Sequence, residues 1–411
     1  MILKASIVIW KGDLKEFIKA YFVPFQHNYI FIILCMPNEM KTENIKIQPE
    51  IAEKRLVSVD ALRGFDMFWI IGGSQLMVAL ANSSGLDILQ NIPLHFDHTW
   101  GEFRFYDLIM PLFLFIVGVV MPVAFSKRRA RGENKHKLYL HIIKRVIILY
   151  ILGLVSSGHL LSFDISKIHL WTDTLHAIAM GYLVSSILIL EFKLQWQVVI
   201  TGFFLLLYWG LMALIPIPGH GAGIYQPELN LALYVDDAVL GHFQEGFGWT
   251  YILTNLTFVC SVMLGVFAGY MLQSDLPPMR KVALLAITGI ACVLAGRIWG
   301  IWFPIIHHLW TSSMVLYAGG FCFLLLSMFY LVIDVWGYKK WAFVFVVIGM
   351  NAIAVYVGTR IFDFKLVGNV FVGGLAVYFG EWGDFIQALA AVMIIWLLLY
   401  WMYRKKTFIK I

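Results

Sequence analysis

The sequence predicts an all-α integral membrane protein, a polytopic transmembrane helix bundle of about ten spans with both termini in the cytoplasm. Three observations predict this class: 60% of the 411 residues are hydrophobic, only 14% are charged, and apolar stretches recur along the whole chain. A soluble domain with one core neither needs nor tolerates such a composition, so we expect lipid to surround most of the chain.

Ten stretches are long and apolar enough to cross a hydrocarbon core of roughly 30 Å as a helix. They cover residues 62–81, 105–125, 142–161, 172–191, 196–215, 250–273, 279–298, 312–334, 341–358 and 385–402. Because their number is even, both termini are predicted to lie on the same side of the membrane.

Basic residues set the predicted orientation. The connection after the second span contains four basic residues at positions 127–131, and the positive-inside rule assigns it to the cytoplasm. The longest connection on the opposite side, 216–249, contains no Lys or Arg. We expect this connection and the loop 359–384 to lie outside the bilayer or against protein, since unpaired backbone is costly in lipid.

The N-terminal segment differs from the rest of the chain. Residues 17–36 are only weakly apolar and are interrupted by Pro24 and Asn28, whereas Met40 opens a polar leader that runs into the first good span. We therefore separate a leader, 1–50, from a membrane domain, 51–411, and interpret Met40 as the native start. No small-residue cleavage site follows a short apolar region, so a removable signal peptide is not expected.

Composition argues against two other kinds of site. The four cysteines, Cys35, Cys260, Cys292 and Cys322, lie in apolar stretches without paired spacing, which predicts neither a disulfide framework nor a metal knuckle. The net charge of +6 comes from Lys and Arg in short connections, where membrane orientation explains them. We expect no nucleic-acid partner and no metal.

Polar side chains at the ends of spans are costly unless they are paired or face water, so they are the first candidates for chemistry. His98 precedes Asp107, a carboxylate at the mouth of the second span. An imidazole oriented by Asp107 or Asp97 is the pair that general base catalysis uses. The alternative is an ordinary interfacial histidine.

Other polar residues leave two interpretations open. Asp60 and Arg63 are spaced to pair on one helical face, or Arg63 anchors an anionic ligand. The spacing of Asp173 and His176 favours a structural hydrogen bond over a metal site, which would need further ligands. Asn351, inside an apolar helix, either bonds to a neighbouring helix or faces a cavity.

Five short motifs follow one another between positions 55 and 358. They are Ser58-Val59-Asp60 with Arg63-Gly64, His98 ahead of Asp107-Leu108 and Phe113-x-Phe115, Tyr234-x-Asp236 with Leu240-Gly241, Leu309-Trp310-Thr311, and Gly349-Met350-Asn351 with Tyr356-Val357-Gly358. In this order they resemble the heparan-alpha-glucosaminide N-acetyltransferase family, multi-pass membrane enzymes with a lysosomal member and bacterial relatives.

The resemblance implies that acetyl-coenzyme A (acetyl-CoA) is the co-substrate, that it binds from the cytoplasm, and that an amino sugar or glycan on the far side accepts the acetyl group. It implies that His98 is catalytic with Asp107 beside it, although the spacing between them is one residue shorter than in the family. Ser74 stands where the lysosomal member has Asn, with Gln75 as a substitute. The substrate-binding residues expected on these grounds are Asp60, Arg63, Ser74, Gln75, Asp236, Trp310 and Asn351.

Two mechanisms and two other functions stay open. In one mechanism His98 removes the acceptor's proton while dipoles near Asn351 or a helix start stabilise the oxyanion; in the other His98 is acetylated first. The other functions are O-acetylation of a surface glycan or lipid, and solute transport without chemistry. We expect the bacterial cytoplasmic membrane as the location, and we consider a homodimer.

Overall fold

A computed structural model describes residues 56–158, 164, 167–244 and 248–409. This part of the chain contains nine helices that are long and apolar enough to cross a membrane, or ten if one bent pair counts as a single span. The predicted all-α bundle of about ten spans is confirmed. The predictions for the leader 1–50, Met40 and Cys35 fall outside the described residues, and the cytoplasmic location of the termini stays a prediction.

The described helices, and the two strands of a short β-hairpin, are numbered in chain order. They are α1 (Val57–Ser84), α2 (Ile109–Ala130), α3 (Lys135–Ser156), α4 (Thr174–Glu191), α5 (Leu194–Leu214), β1 (Tyr225–Gln226), β2 (Leu229–Asn230), α6 (Leu231–Leu240), α7 (Asn255–Gln273), α8 (Pro278–Trp299), α9 (Ser312–Phe329), α10 (Phe343–Gly349), α11 (Ala352–Ile361), α12 (Phe364–Tyr378) and α13 (Gly383–Arg404).

The two most buried helices, α2 and α7, pack against each other at the centre of the bundle. Gly118 of α2 and Gly265 of α7 lie at this contact. A Cβ atom at Gly118 would collide with the carbonyl oxygen of Val262, and one at Gly265 with that of Phe115. Small residues allow such close backbone approach between membrane helices, where packing supplies much of the association energy.

The predicted span 341–358 is not one straight helix, because α10 and α11 meet at an angle of 73°. Asn351 lies at the break. Its side-chain nitrogen donates to the carbonyl oxygen of Thr407 at 3.2 Å, and its side-chain oxygen accepts from the amide of Ile409 at 3.0 Å. Of the two interpretations of Asn351, the structure supports a hydrogen-bonded partner, here the segment after α13.

The prediction of a loop over 359–384 is wrong, because this segment contains helix α12, packed against α13. Asp363 caps α12 by accepting from the amides of Lys365 at 2.9 Å and Leu366 at 3.2 Å. The helix has 15 residues, fewer than the roughly 20 that a straight span needs. It is therefore too short to be predicted as a straight span from the sequence.

Two further boundaries differ from the sequence predictions. The connection 216–249 is not purely a loop, since it forms the β1–β2 hairpin and α6, whose first turn is capped by the Asn230 side chain. The third span begins at Lys135 rather than at 142. The hairpin contacts the loop before α2, where Trp100 Nε1 donates to the carbonyl of Tyr225 at 2.9 Å.

Replacing Gly265 by Leu is expected to abolish the α2–α7 contact. A side chain there must displace backbone atoms, and overpacking of this kind costs about 1–3 kcal/mol or more. Thermal unfolding and size-exclusion profiles in detergent check the prediction. Gly202→Leu is the matched control, because Gly202 lies in α5 with open space around it; equal behaviour of the two variants would contradict the prediction.

Candidate active site

The structure brings His98 and Asp107 together. His98 lies in the loop before α2, and Asp107 lies in the 3-10 turn Phe105–Leu108 from which α2 continues. His98 Nδ1 is 2.5 Å from Asp107 Oδ1, with the Asp107 side chain 1% exposed and the His98 side chain 30% exposed. Of the two predicted orienting carboxylates, Asp107 is the one in contact. An ionised carboxylate can only accept, so Nδ1 carries the proton between them.

The second carboxylate oxygen of Asp107 stabilises the 3-10 turn in which Asp107 lies. Asp107 Oδ2 accepts from the backbone amide of Arg104 at 2.8 Å. The Arg104 guanidinium in turn donates to the carbonyl of Leu94 at 2.8 Å and to Glu102 at 2.8 Å. The loop that carries His98 is therefore tied at several points to the start of α2, which fixes the imidazole relative to the carboxylate.

A second imidazole, His307, contacts the same carboxylate oxygen. His307 Nδ1 lies 3.1 Å from Asp107 Oδ1, and the His98 and His307 rings stack with centroids 5.1 Å apart. The His307 side chain is 2% exposed. Burial lowers its pKa, and the Asp107 carboxylate partly offsets this effect. The consecutive histidines His307 and His308 just before a span stand out in the sequence as a polar cluster, but the sequence assigned them no role.

The loop between α8 and α9 positions His307. Trp310 in this loop has φ 47°, a left-handed conformation that is strained for a residue with a side chain. Its indole Nε1 donates to Ser261 Oγ at 2.9 Å, and its ring packs on Phe258 at 4.9 Å. Trp310 therefore anchors the loop in the core of the bundle, where the contacts of its side chain outweigh the strain of its backbone.

A cavity of about 270 Å³ opens beside the two imidazoles. Aromatic, apolar and polar side chains line it together, as is usual for small-molecule sites. The lining residues are Ile70, His98, Tyr106, Ile109, Met110, Phe113, Thr172, Asp173, Thr174, Trp249, Tyr251, Phe258, His307, Tyr356 and Arg360.

A hydrogen-bond network around Asp173 builds another part of the cavity lining. Asp173 Oδ2 accepts from Ser156 Oγ at 2.6 Å and from the Tyr356 hydroxyl at 3.0 Å, and Oδ1 accepts from the Leu175 amide at 2.7 Å. His176 Nδ1 accepts from the Asp173 amide at 3.3 Å. The predicted structural hydrogen bond between Asp173 and His176 is confirmed, and this network ties α3, α4 and α11 together.

Arg360 also lines the cavity, with its guanidinium 5.6 Å from the centre of the Tyr356 ring. It lies near the end of α11. Sequence analysis missed it because position 360 falls in the segment predicted as a loop. A lone arginine next to an apolar stretch was the only signal.

The predicted substrate-binding residues do not line the cavity, and their role stays a prediction. Ser74 Oγ donates to the carbonyl of Trp69 at 3.0 Å within α1, and Gln75 is exposed. Asp236 accepts from the amides of Tyr251 at 2.7 Å and Ile252 at 2.9 Å. The residues concerned are Asp60, Arg63, Ser74, Gln75, Asp236, Trp310 and Asn351.

The donor set of His98, Asp107 and His307 is also the kind that binds a metal, with ligand atoms all within 4.8 Å of one another. Two ligands of a tetrahedral zinc ion stand roughly 3.3 Å apart. The contact between His98 Nδ1 and Asp107 Oδ1, at 2.5 Å, is shorter than this and has the length of a charge-assisted hydrogen bond. The contact between His98 and Asp107 therefore fits a hydrogen-bonded pair that can transfer a proton.

Comparison with known proteins bears on the reaction class. No family model matches the sequence. The chain is 25% identical to human heparan-alpha-glucosaminide N-acetyltransferase over 428 aligned positions, which cover 87% of this chain and 60% of the human protein. The mouse protein of the same name is 25% identical, with 77% of this chain and 56% of the mouse protein covered.

The chain is distantly related to the heparan-alpha-glucosaminide N-acetyltransferases. It spans about 60% of the length of these curated relatives. An uncharacterized 39.9 kDa protein from the amylase 3′ region of Bacillus acidopullulyticus is 27% identical, over 48% of this chain and 54% of that protein. The relationship supports a transferase activity for an integral, multi-pass membrane protein.

Asp236 provides a test of whether a predicted site residue is structural. We expect Asp236→Ala to lower the stability of the protein in detergent by about 2–3 kcal/mol, because two amides lose a charged acceptor. Thermal unfolding checks this. Asp237→Ala, at the exposed neighbour, is the control and should unfold like the wild type. An unchanged unfolding temperature together with impaired substrate binding would contradict the structural role.

Proposed function

We propose that this protein is a transmembrane acetyltransferase that moves an acetyl group from acetyl-CoA to the amino group of a sugar or glycan. The observation that carries the proposal is the contact between His98 Nδ1 and the buried Asp107 carboxylate, beside a cavity that His98 also lines. The distant relationship to N-acetyltransferases supports the reaction class.

The reaction requires a base, and His98 is suited to that task. An amine that attacks a thioester carbonyl must lose a proton, and a positioned imidazole accelerates such a transfer by about 10²–10⁴-fold. With Nδ1 bonded to Asp107, Nε2 is the nitrogen of His98 left for the substrate. The carboxylate stabilises the imidazolium that forms and keeps the ring in one orientation.

Helix α2 connects the candidate site with the basic cluster at 127–131. Asp107 immediately precedes α2, and the helix ends at Ala130 within the cluster. Its 22 residues give a length of roughly 33 Å, about one bilayer core. In the proposed function, coenzyme A stays on the cytoplasmic side because it is too polar to cross lipid, and only the small acetyl group reaches the acceptor.

We expect His98→Asn to abolish acetyl transfer without changing expression or stability, because the Asn side-chain amide can donate to Asp107 in place of His98 Nδ1 but is no base near neutral pH. The assay uses purified protein with labelled acetyl-CoA and a panel of glucosamine-containing acceptors. His95→Asn is the matched control, since His95 lies in the same loop and is exposed. An active His98→Asn variant would remove His98 from the reaction.

The same assay separates the other functions. Label on acceptors that offer only hydroxyl groups would favour an O-acetyltransferase. Uptake of unmodified amino sugar into proteoliposomes, without any labelled product and without acetyl-CoA, would favour a transporter. Either result would contradict N-acetylation, whereas labelled N-acetyl product formed only with active His98 would support it.

A further inference from the structure

His307 is a buried imidazole that has no role in the mechanism proposed above. Its side chain is 2% exposed and lines the cavity next to His98. Its Nδ1 lies 3.1 Å from Asp107 Oδ1, but the contact is not aligned as a hydrogen bond. Among the described residues, Nε2 of His307 has no hydrogen-bond partner. A buried polar atom without a partner at a cavity requires an explanation.

The two rings differ in how well each can carry a positive charge beside Asp107. A buried carboxylate is stable when one positive charge compensates it, and a second buried charge would stand uncompensated. His98 makes the 2.5 Å contact with Asp107 and is partly exposed, so a positive charge that forms during the reaction is better stabilised on His98 than on His307. His307, fully buried, stays neutral. A neutral imidazole with a free Nε2 is a nucleophile.

The size of the cavity favours a reaction in two stages. Sites for drug-sized ligands have volumes of about 300–1,000 Å³. A volume of about 270 Å³ lies just below that range. A cavity of this size favours binding the thioester end of the donor and the acceptor one after the other. A covalent intermediate allows the donor to leave before the acceptor enters.

We propose that His307 carries the acetyl group and that His98 serves it as acid and base, an inference that rests on the proposed function. In the first stage His307 Nε2 bonds to the thioester carbonyl carbon and the carbon–sulfur bond breaks. The thiolate takes the proton of the His98 imidazolium and leaves as coenzyme A. The product on the protein is an acetyl-imidazolium at His307.

The second stage restores both histidines. The acceptor amine bonds to the acetyl carbon, the bond from that carbon to His307 Nε2 breaks, and neutral His98 takes a proton from the amine nitrogen. His98 is again an imidazolium beside Asp107, and His307 is again neutral. The sum is one thioester and one amine converted to one amide and one thiol, with no other reactant.

The test is to trap the intermediate. Wild-type protein in detergent is incubated with labelled acetyl-CoA without acceptor, quenched and digested, and the modified peptide is located by mass spectrometry. We expect one acetyl group per chain on His307, released by added acceptor or by hydroxylamine. His307→Gln should lose the label and at least about 100-fold in turnover. His308→Gln is the matched control, because His308 stacks on Trp100 instead of contacting Asp107. This variant should keep both the label on His307 and the wild-type turnover.

A variant with a smaller side chain distinguishes a chemical role from a structural one. In His307→Gly, added imidazole should restore part of the turnover, since it can enter the space of the missing ring and carry the acetyl group. In His98→Asn, label should still form on His307, but more slowly. Rescue by imidazole is not expected of a residue that only supports packing.

Several outcomes overturn the inference and leave the proposed function standing. One is an acetyl label found on His98 instead of His307. Another is a His307→Gln variant whose turnover is close to that of the wild type. A third is active wild-type protein that shows sequential kinetics and carries no acetyl label. A stoichiometric metal ion lost from both His98→Asn and His307→Gln would assign the two rings to metal binding instead. Wild-type protein that transfers no acetyl group to any acceptor would contradict the proposed function itself.

Discussion

The buried carboxylate of Asp107 is the constraint on which the candidate site depends. It accepts from the Arg104 amide through one oxygen and contacts the His98 and His307 rings through the other. Two segments distant in sequence therefore meet at one ionised group: the loop that leads into the start of α2, and the loop before α9. An uncompensated charge at this depth would be costly, so the protein has to keep an imidazole beside it.

The surrounding bundle makes this constraint possible. The glycines of α2 and α7 bring the two central backbones into contact, which gives the start of α2 a rigid support. Trp310 holds the His307 loop against Ser261 of α7, and the Asp173 network joins α3, α4 and α11. The cavity thus lies between elements that are each fixed by packing or by hydrogen bonds rather than in a free loop.

The sequence predicted those features that depend on local composition. Long apolar stretches predicted the spans. For His98 the sequence left Asp107 or Asp97 as the orienting carboxylate, and the structure shows Asp107. The sequence did not predict the bend at Asn351, because the partners of that side chain lie more than fifty residues away. It missed α12, whose length is below that of a span. It also missed Arg360 and gave no role to His307, because the approach of both side chains to the cavity is set by tertiary packing. Periodicity indicates which residues face protein or lipid, but not which distant segments meet.

The proposed function requires an acetyl group to pass from a donor on one face of the membrane to an acceptor on the other. Proteoliposomes with the amino sugar sealed inside and labelled acetyl-CoA added outside test it directly, in molecules whose cytoplasmic face points outward. If the proposed function is correct, labelled N-acetyl sugar appears in the lumen and coenzyme A is released outside. Product formed only when both substrates share one compartment would contradict it.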